Sequence, residues 1–322
     1  MRTLIFVLTF ISPPFFKKVL LKWFCGASIG RNVHVGWFSA VMGRHIELGD
    51  FSEIRALSII KCEGDVKIGA YSVISNMVLV YGASGLTLGE RCYVGPQCLI
   101  NVDRDVRFGN VSAIGPRSMI FTHGSFLPYT EGYWVKFDGV TIGDYVWIAA
   151  GVFIQPGVAI GSNVFVNSRS VLTHEVAEGD VVSGNPAQSI GSMQKLKRAM
   201  KPGRVDVASK QILRHFSEEV LQKKMQLEVN EDENSTSFRY LGRDYLLSLV
   251  SSNGSTALHG EFHDKKRCIL LVNRPDWLPP ARLNDPLIFD LTTMSTHKSR
   301  DKIHAELWRF MRMYFGVTFE YK

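Results

Sequence analysis

Long apolar runs are missing from this 322-residue chain: stretches such as Leu4 to Leu8, cut from Phe10-Ile11 by Thr9, fall far short of the roughly 20 residues that cross a bilayer. A polytopic membrane protein is excluded. Cysteine is scarce. The five residues Cys25, Cys62, Cys92, Cys98 and Cys268 are odd in number and contain no CxxC pair, which argues against a disulfide framework and a cysteine zinc site and fits a reducing cytoplasm. Met1-Arg2 and the apolar stretch after it imitate the start of a secretory signal, but no small-x-small cleavage site follows. Pro13-Pro14 runs instead into Phe15, Phe16, Lys17 and Lys18, so a cytoplasmic chain is expected. No glycine-rich nucleotidyl-transfer segment precedes residue 48, which disfavours a sugar-nucleotide pyrophosphorylase.

Hydrophobic residues make up 46% of the chain, charged residues 21%, and mean hydropathy is +0.04. That composition suits a soluble protein burying one or two cores and excludes wholesale disorder. Thirty-seven basic against thirty acidic side chains leave +7, a balance that fits nucleic acid, an anionic membrane face or a polyphosphate ligand, and charge alone does not choose among them.

The strongest signal is an internal repeat. An aliphatic or aromatic residue followed by glycine recurs at Leu48-Gly49, Ile68-Gly69, Leu88-Gly89 and Phe108-Gly109, each 20 residues after the last. After a gap of 34 it returns at Ile142-Gly143, and 18 later at Ile160-Gly161; the long gap equals one coil plus a 14-residue insertion. Aliphatic residues also recur every six, at Ile142, Ile148, Ile154, Ile160, Val166 and Leu172, and small or β-branched residues stand four beyond them at Val146, Val152, Val158, Val164 and Ser170. Three sixes make one turn of a winding chain. Coils stacked about 4.8 Å apart pair each rung with the next and build a continuous apolar ladder. Gly49-Asp50, Gly109-Asn110, Gly143-Asp144 and Ser162-Asn163 are expected to supply unusual backbone angles at the corners. An antiparallel sandwich would show period-2 alternation and irregular strand spacing instead.

From about Ile29 to Ile190 the repeat resembles the hexapeptide-repeat acyltransferases, whose fold is a left-handed parallel β-helix. The resemblance rests on the run Ile142 to Gly151, on Gln155-Pro156-Gly157 and on Ser183-Gly184-Asn185-Pro186-Ala187, and covers about half of the chain. Handedness, a homotrimer with sites between subunits, and acyl-CoA as cosubstrate with no permanently bound cofactor are what it implies.

The rung Ile120-Phe121-Thr122-His123 ends at the insertion, Gly124 to Gly139, and solenoid insertions carry functional side chains away from the stack. One coil earlier, Ile100-Asn101-Val102-Asp103 places a carboxylate 20 residues before His123. Stacking therefore predicts Asp103 and His123 as neighbours, the carboxylate fixing the imidazole tautomer or binding an acceptor hydroxyl. A thioester is already activated, so one positioned base suffices to deprotonate the acceptor. In galactoside and maltose acetyltransferases, which this region resembles, the catalytic histidine sits on the loop-bearing coil and a tryptophan follows on the next. His123 and Trp147 match these, Asp103 aligns with an acceptor-binding aspartate, and Ala150 aligns with an oxyanion donor. The acyl-CoA contacts carry over to Ser168, Thr173, His174 and Pro186. The chain departs from the family where His174 replaces a frequent lysine and where Gln188 and Gly191 replace basic residues; Lys195, Lys197, Arg198 and Lys201 lie downstream. Asn101 with Asp103, and Tyr133 and Trp134 among the aromatics of the insertion (Phe126, Tyr129, Phe137), are candidates for holding a sugar or a neighbouring subunit.

The expected acceptor is a sugar or surface-polysaccharide precursor, acylated on oxygen; an amino sugar acylated on nitrogen is the alternative, and a non-catalytic scaffold is the alternative of another class. No nucleic-acid partner is expected. A zinc site of the γ-carbonic anhydrase type needs three convergent histidines, and His34 and His45 lie in early coils far from His123. His259 and His263, near Glu261 and Asp264, sit among glycines and read as a hairpin loop, so no metal is expected.

At the N-terminus, residues 15–24 set Lys18 and Lys22 beside aromatic and aliphatic residues, a pattern that suits capping the solenoid or peripheral contact with the inner membrane face. The expected organisation is a capping segment 1–28, the β-helix 29–192, a helix and polar linker 193–236 with helical spacing from Ile212 to Leu227 and a linker from Val229 to Ser237, and a small α+β domain 237–322 without a recognised motif. In that domain Phe238 to Val250, Cys268 to Asn273 and Leu287 to Leu291 read as strands, and Ser299 to Phe315 as a helix capped by Ser299 and stopped by Gly316.

Overall fold

A computed structural model describes residues 2–124, 127–232, 235–253, 267–280, 283 and 285–321. The candidate metal ligands His259, Glu261, His263 and Asp264 lie outside the described residues. The chain divides into two compact units, 1–198 and 199–322.

The first unit is a three-walled parallel β-helix. The first wall runs in seven strands from Ser28–Ile29 to Ala159–Ile160, the second begins at His34–Val35, and the third runs from Ala40–Met42 to Val171–Leu172. Strand pairing follows the repeat: Leu88 lies opposite Ile68 and Phe108 one coil to either side. Phe108 then pairs with Ile142 across the insertion, and Ile142 with Ile160. Both interior columns are closed to solvent, the six-residue anchors Ile148, Ile154 and Val166 together with Val146, Val152 and Val164, because each wall is too narrow for an inward side chain to reach water.

Serine and cysteine in the second column stitch coils together. Ser72 Oγ donates to Gly89 O at 2.7 Å and accepts from Cys92 N at 2.9 Å; Ser112 Oγ repeats the pattern on Gly143 O and Val146 N. Cys98 is buried in the same column and Cys62 at the end of the third-wall strand Ile59–Cys62, and desolvation pushes their thiols up to about 11 and about 12.

The corners differ from expectation in their chemistry. Asn163 does take a positive φ of 56°, but most left-handed positions fall on other residues, including Phe51, Tyr71, Arg91, Val111 and Tyr145. The recurrent glycine serves close approach instead: a Cβ at Gly49 would stand 2.5 Å from Ala70 N on the next coil. A hydrogen-bonded stack can hold bulky residues in the left-handed region when their side chains point to solvent; it cannot make room between coils.

Two helices close the first coil, α1 (Arg2–Ile11) and α2 (Pro14–Cys25). Pro14 starts α2 at a position where its missing N–H costs nothing, and Gly26 ends it at φ 63°. Leu21 enters the β-helix core with Ala27, Val33 and Val35. Lys17 is also buried; its Nζ donates to Ser39 O at 2.6 Å and Phe10 O at 3.3 Å, tying both helices to the coil.

The second unit is a seven-stranded mixed sheet in chain order from Val229–Glu231 to Glu320–Tyr321. The polar stretch read as a linker contributes its first strand and opens its second, since Val229 to Glu231 pair with Thr236 to Phe238. What read as one strand from Phe238 to Val250 is a hairpin turned at Leu241-Gly242, both at positive φ. The helical spacing after Ile212 likewise divides: an α-helix, Pro202–Phe216, continues into a π-helical stretch, Ser217–Lys224. The C-terminal helix spans Lys302–Phe315, capped by Asp301, whose carboxylate accepts from Ile303 N and His304 N, while Ser299 supports Asp301 N. Phe216, Leu247, Ile269, Phe289, Leu307 and Met311 form the core on one sheet face.

Candidate active site

Each coil turns from the third wall to the first at one edge of the prism, and residues one coil apart stack there. Asn101 is buried at this edge. Its Oδ1 accepts from Thr122 Oγ1 at 2.9 Å and its Nδ2 donates to Asp103 Oδ2 at 3.0 Å. Ala83 N, from the preceding coil, donates to Asp103 Oδ1 at 3.2 Å. The carboxylate is thus held by two donors from two coils, with one oxygen turned toward the insertion.

His123 stands there. Its Nδ1 lies 4.0 Å from Asp103 Oδ2, with 37% and 30% of the two side chains exposed. That separation exceeds a direct hydrogen bond and suits an electrostatic contact or a bridging water. His123 and Gly124 pair antiparallel with Phe137 and Lys136, so the insertion leaves and returns as a hairpin. The imidazole stacks on Phe137 at 4.3 Å between centroids, and the Arg104 guanidinium lies 5.4 Å from the same ring. Trp134 is 71% exposed, and its ring edge reaches within 4.0 Å of where a Gly124 side chain would begin. Tyr133 is exposed in the same insertion, and Phe126 lies outside the described residues.

A polar groove of about 430 Å³ adjoins the pair along the same edge, lined by Arg44, Lys67, Ser84, Thr87 and Arg107 among others. Ala83 borders it and also donates to Asp103. Its cations are each paired with a carboxylate, Arg44 with Asp65 and Arg107 with Asp105 inside the groove and Lys67 with Glu47 on the neighbouring coil, leaving a surface suited to a hydroxylated ligand rather than a bare anion.

The remaining candidates scatter. Thr173 and His174 lie on the His123 edge in a later coil, Thr173 Oγ1 2.7 Å from His174 Nδ1. Trp147 is 60% exposed on the second wall, tilted against Phe165 at 5.2 Å. Ala150 and Ser168 line a separate groove of about 600 Å³ at the edge between second and third walls, with Gln97, Arg117 and Arg169. Pro186 is exposed in the turn between the strands Asp180–Gly184 and Ala187–Ser192. A wall of about six extended residues, roughly 20 Å, separates the two edges. One chain therefore gathers Asn101, Asp103, His123, Tyr133 and Trp134 at one end of the third wall and Ala150 and Ser168 at the other.

Nothing in the sequence marks Arg104 or Thr122 as more than chain neighbours of Asp103 and His123. Phe137 belongs to the aromatics of the insertion already named, but its stacking on His123 carries no sequence signal, because only the hairpin register brings the two rings together.

The model of the bacterial transferase hexapeptide family (six repeats) matches residues 139–174. Among curated proteins, the chain is 33% identical over 146 residues to nodulation protein L of Rhizobium meliloti strain 1021, covering 45% of this chain and 79% of that protein. It is 31% identical over 121 residues to WcaF of Escherichia coli strain K12, provisionally named as a colanic acid biosynthesis acetyltransferase, covering 38% of this chain and 66% of that one. It is 30% identical over 113 residues to galactoside O-acetyltransferase of the same strain, covering 34% and 55%. The chain thus spans just under two thirds of WcaF and about half of galactoside O-acetyltransferase. With the 20-residue coil, its stacked pairings and the match across most of nodulation protein L, the chain belongs to the hexapeptide-repeat acyltransferase family, and its first unit is that family's left-handed parallel β-helix.

Proposed function

We propose that the chain transfers an acyl group, acetyl by family default, from acyl-CoA to a hydroxyl of a sugar or surface-polysaccharide precursor, with His123 as general base. The observation that carries this reading is the placement of His123 Nδ1 beside a doubly anchored Asp103 at the mouth of the insertion. A carboxylate on the Nδ1 side favours the tautomer with its proton there and leaves Nε2 with its lone pair toward the acceptor. Nε2 takes the hydroxyl proton as the oxygen attacks the thioester carbonyl; the carbon–sulfur bond then breaks, and the departing thiolate receives that proton from the imidazolium. Stacking on Phe137 restricts ring rotation, so the base is held before the acceptor arrives. The adjoining polar groove and the exposed Trp134 suit a sugar's hydroxyls and its apolar ring face. The names of galactoside O-acetyltransferase and WcaF, both sugar-related, support the same acceptor class.

The acyl-CoA side of the reading requires a homotrimer. Ala150 as oxyanion donor and Ser168 as cofactor contact lie a wall away from His123, and a second copy would bring its own such edge to this one. The outer face of the third wall supports this. Leu79, Leu99, Met119, Phe153 and Val171 stack in register along it as an apolar stripe that a neighbour would bury. Trp147, Thr173, His174 and Pro186 complete the proposed cofactor contacts. Cytoplasmic placement, with peripheral contact at the inner membrane face through residues 15–24, belongs to the same reading.

The test is acyl-CoA consumption by wild type and His123→Ala across hydroxyl and amino sugar acceptors. Loss of roughly a hundredfold or more on hydroxyl acceptors is expected. Near-wild-type turnover of the variant on an amino sugar would move the assignment to N-acylation, and failure to bind any acyl-CoA would leave a scaffold.

A further inference from the structure

We infer that α1, α2 and the first coils form a preset, in-plane anchor for an anionic lipid bilayer. The inference rests on the peripheral-contact part of the proposed function and extends it from residues 15–24 to a continuous surface.

α1 exposes Leu4, Val7, Leu8 and Ile11, the i, i+3, i+4, i+7 set of one helix face, and α2 exposes Phe15, Phe16, Val19, Trp23 and Phe24. The inward residues Lys17 and Leu21 already close the coil, so these outward faces are not needed for capping. The apolar surface continues onto the β-helix. Phe10 meets Phe38 at 5.9 Å and Phe38 meets Trp37 at 6.0 Å, with Trp37 and Phe38 about half exposed. Leu57 and Met77 occupy the same corner on the next coils and are exposed too, before that edge turns polar at Gln97 and Arg117. Contiguous apolar surface of this kind marks an interaction site on a soluble protein.

Charge selects the occupant. No aspartate or glutamate precedes Glu47, while Lys18 and Lys22 lie within the aromatic helix. A protein partner would be expected to meet a rim of mixed polar character, whereas aromatic and aliphatic side chains with one-signed cationic flanks match the headgroup region of an anionic membrane. Geometry sets the mode. Helices of 10 and 12 residues are about 15 and 18 Å long, against roughly 30 Å of hydrocarbon, and no helix among the described residues is long and apolar enough to cross. They lie flat. The Lys17 ammonium, bonded to the end of α1 and to Ser39 on the first coil, fixes both helices before any lipid is met.

Flotation of the full chain with phosphatidylcholine vesicles, with and without phosphatidylglycerol, tests the anchor. At low salt, binding to the anionic vesicles is expected to exceed binding to neutral ones about tenfold. Lys18→Gln with Lys22→Gln should remove most of that preference. Val19→Glu with Trp23→Glu should abolish binding to both, with an unchanged circular dichroism spectrum as the folding control. Equal binding to both vesicle types, or flotation insensitive to the glutamates, overturns the inference. So does a chain that binds neither vesicle but whose oligomer, in sedimentation, is split by the glutamates, since the face would then join copies of the chain. Binding is read without acyl-CoA or acceptor, so its failure leaves the acyl-transfer reading standing, and a catalytically inert chain that floats leaves the anchor standing.

Discussion

Replacing Asp103 by asparagine separates a carboxylate that acts through His123 from one that grips the acceptor. At 4.0 Å two unit charges attract by about 1 kcal/mol at the dielectric of water and about 4 kcal/mol at an effective value near 20. With 37% and 30% of the side chains exposed, solvent screening holds the stabilisation of a developing imidazolium to about 1 kcal/mol at most. That corresponds to a loss of up to roughly fivefold in kcat. Asparagine keeps one acceptor for either Ala83 N or Asn101 Nδ2 and leaves the other donor poorly matched, at a stability cost of about 1 kcal/mol that a thermal melt reads separately. The assay is steady-state acyl-CoA consumption with the acceptor varied, for Asp103→Asn, His123→Ala and the double variant. If Asp103 acts through the imidazole, kcat falls in the single variant, and the double variant is no slower than His123→Ala alone. Strictly multiplicative losses, or a rise in acceptor KM with kcat unchanged, would refute the pairing and leave Asp103 as a binding group.

Further outcomes follow from burial. His304 is packed against Phe289 and shares a hydrogen bond of 2.9 Å with Thr296 Oγ1, and burial lowers its pKa from 6.5 to about 4. The unfolded chain then binds a proton that the folded one refuses, so stability present above pH 6.5 is lost as pH falls toward 4, by up to about 3 kcal/mol. Hydrogen exchange of peptides from Lys302–Phe315 should show this, and His304→Phe should flatten it. Cys62 and Cys98, pushed up to about 12 and about 11, should resist alkylation at pH 8 until the chain unfolds. Because unfolding returns these thiols to 9.0, stability should decline as pH rises above 9, as denaturant melts can measure. Gly49→Ala forces a methyl against the next coil and should destabilise the β-helix by about 1–3 kcal/mol; an unchanged melting temperature would contradict the close-approach account.

Coil pairing was legible because a solenoid converts sequence spacing directly into contact. Twenty residues of separation set Leu88 opposite Phe108 and placed Asp103 near His123. The same rule carries no information about what leaves the stack, and the hairpin that sets Phe137 against His123 follows from local pairing within an aromatic-rich loop of no fixed period. Corner chemistry does not follow from a side chain's usual preference: the recurrent glycines serve close approach, and bulky residues hold the left-handed angles. Phe51 and Arg91 hold left-handed angles because the peptide unit before each is bonded to both neighbouring coils: Phe51 N donates to Arg31 O while Asp50 O accepts from Tyr71 N, and Arg91 N donates to Ala70 O while Glu90 O accepts from Val111 N. In the second unit the polar run after Val229 looked unstructured because its strands lie at or near a sheet edge and are largely solvated. Composition there reports exposure rather than the absence of pairing.

The distribution of candidate residues follows from the same geometry. A parallel β-helix repeats each angular position once per coil, so residues about one coil apart become neighbours while residues six apart point from different corners. Asp103 and His123 meet because they share a corner; Ala150 shares its corner with Arg117 and Ser168 and cannot share one with His123. No change of side chain alters that phase, and only an insertion can bring a group from one corner toward another. The insertion here leaves and returns at its own edge, where Asp138 N donates to Thr122 O at 3.0 Å and His123 pairs with Phe137. The proposed reaction uses both edges and so draws the second from another copy, and the apolar stripe from Leu79 to Val171 runs along the wall between them. On that proposal, catalytic competence and assembly depend on the same surface.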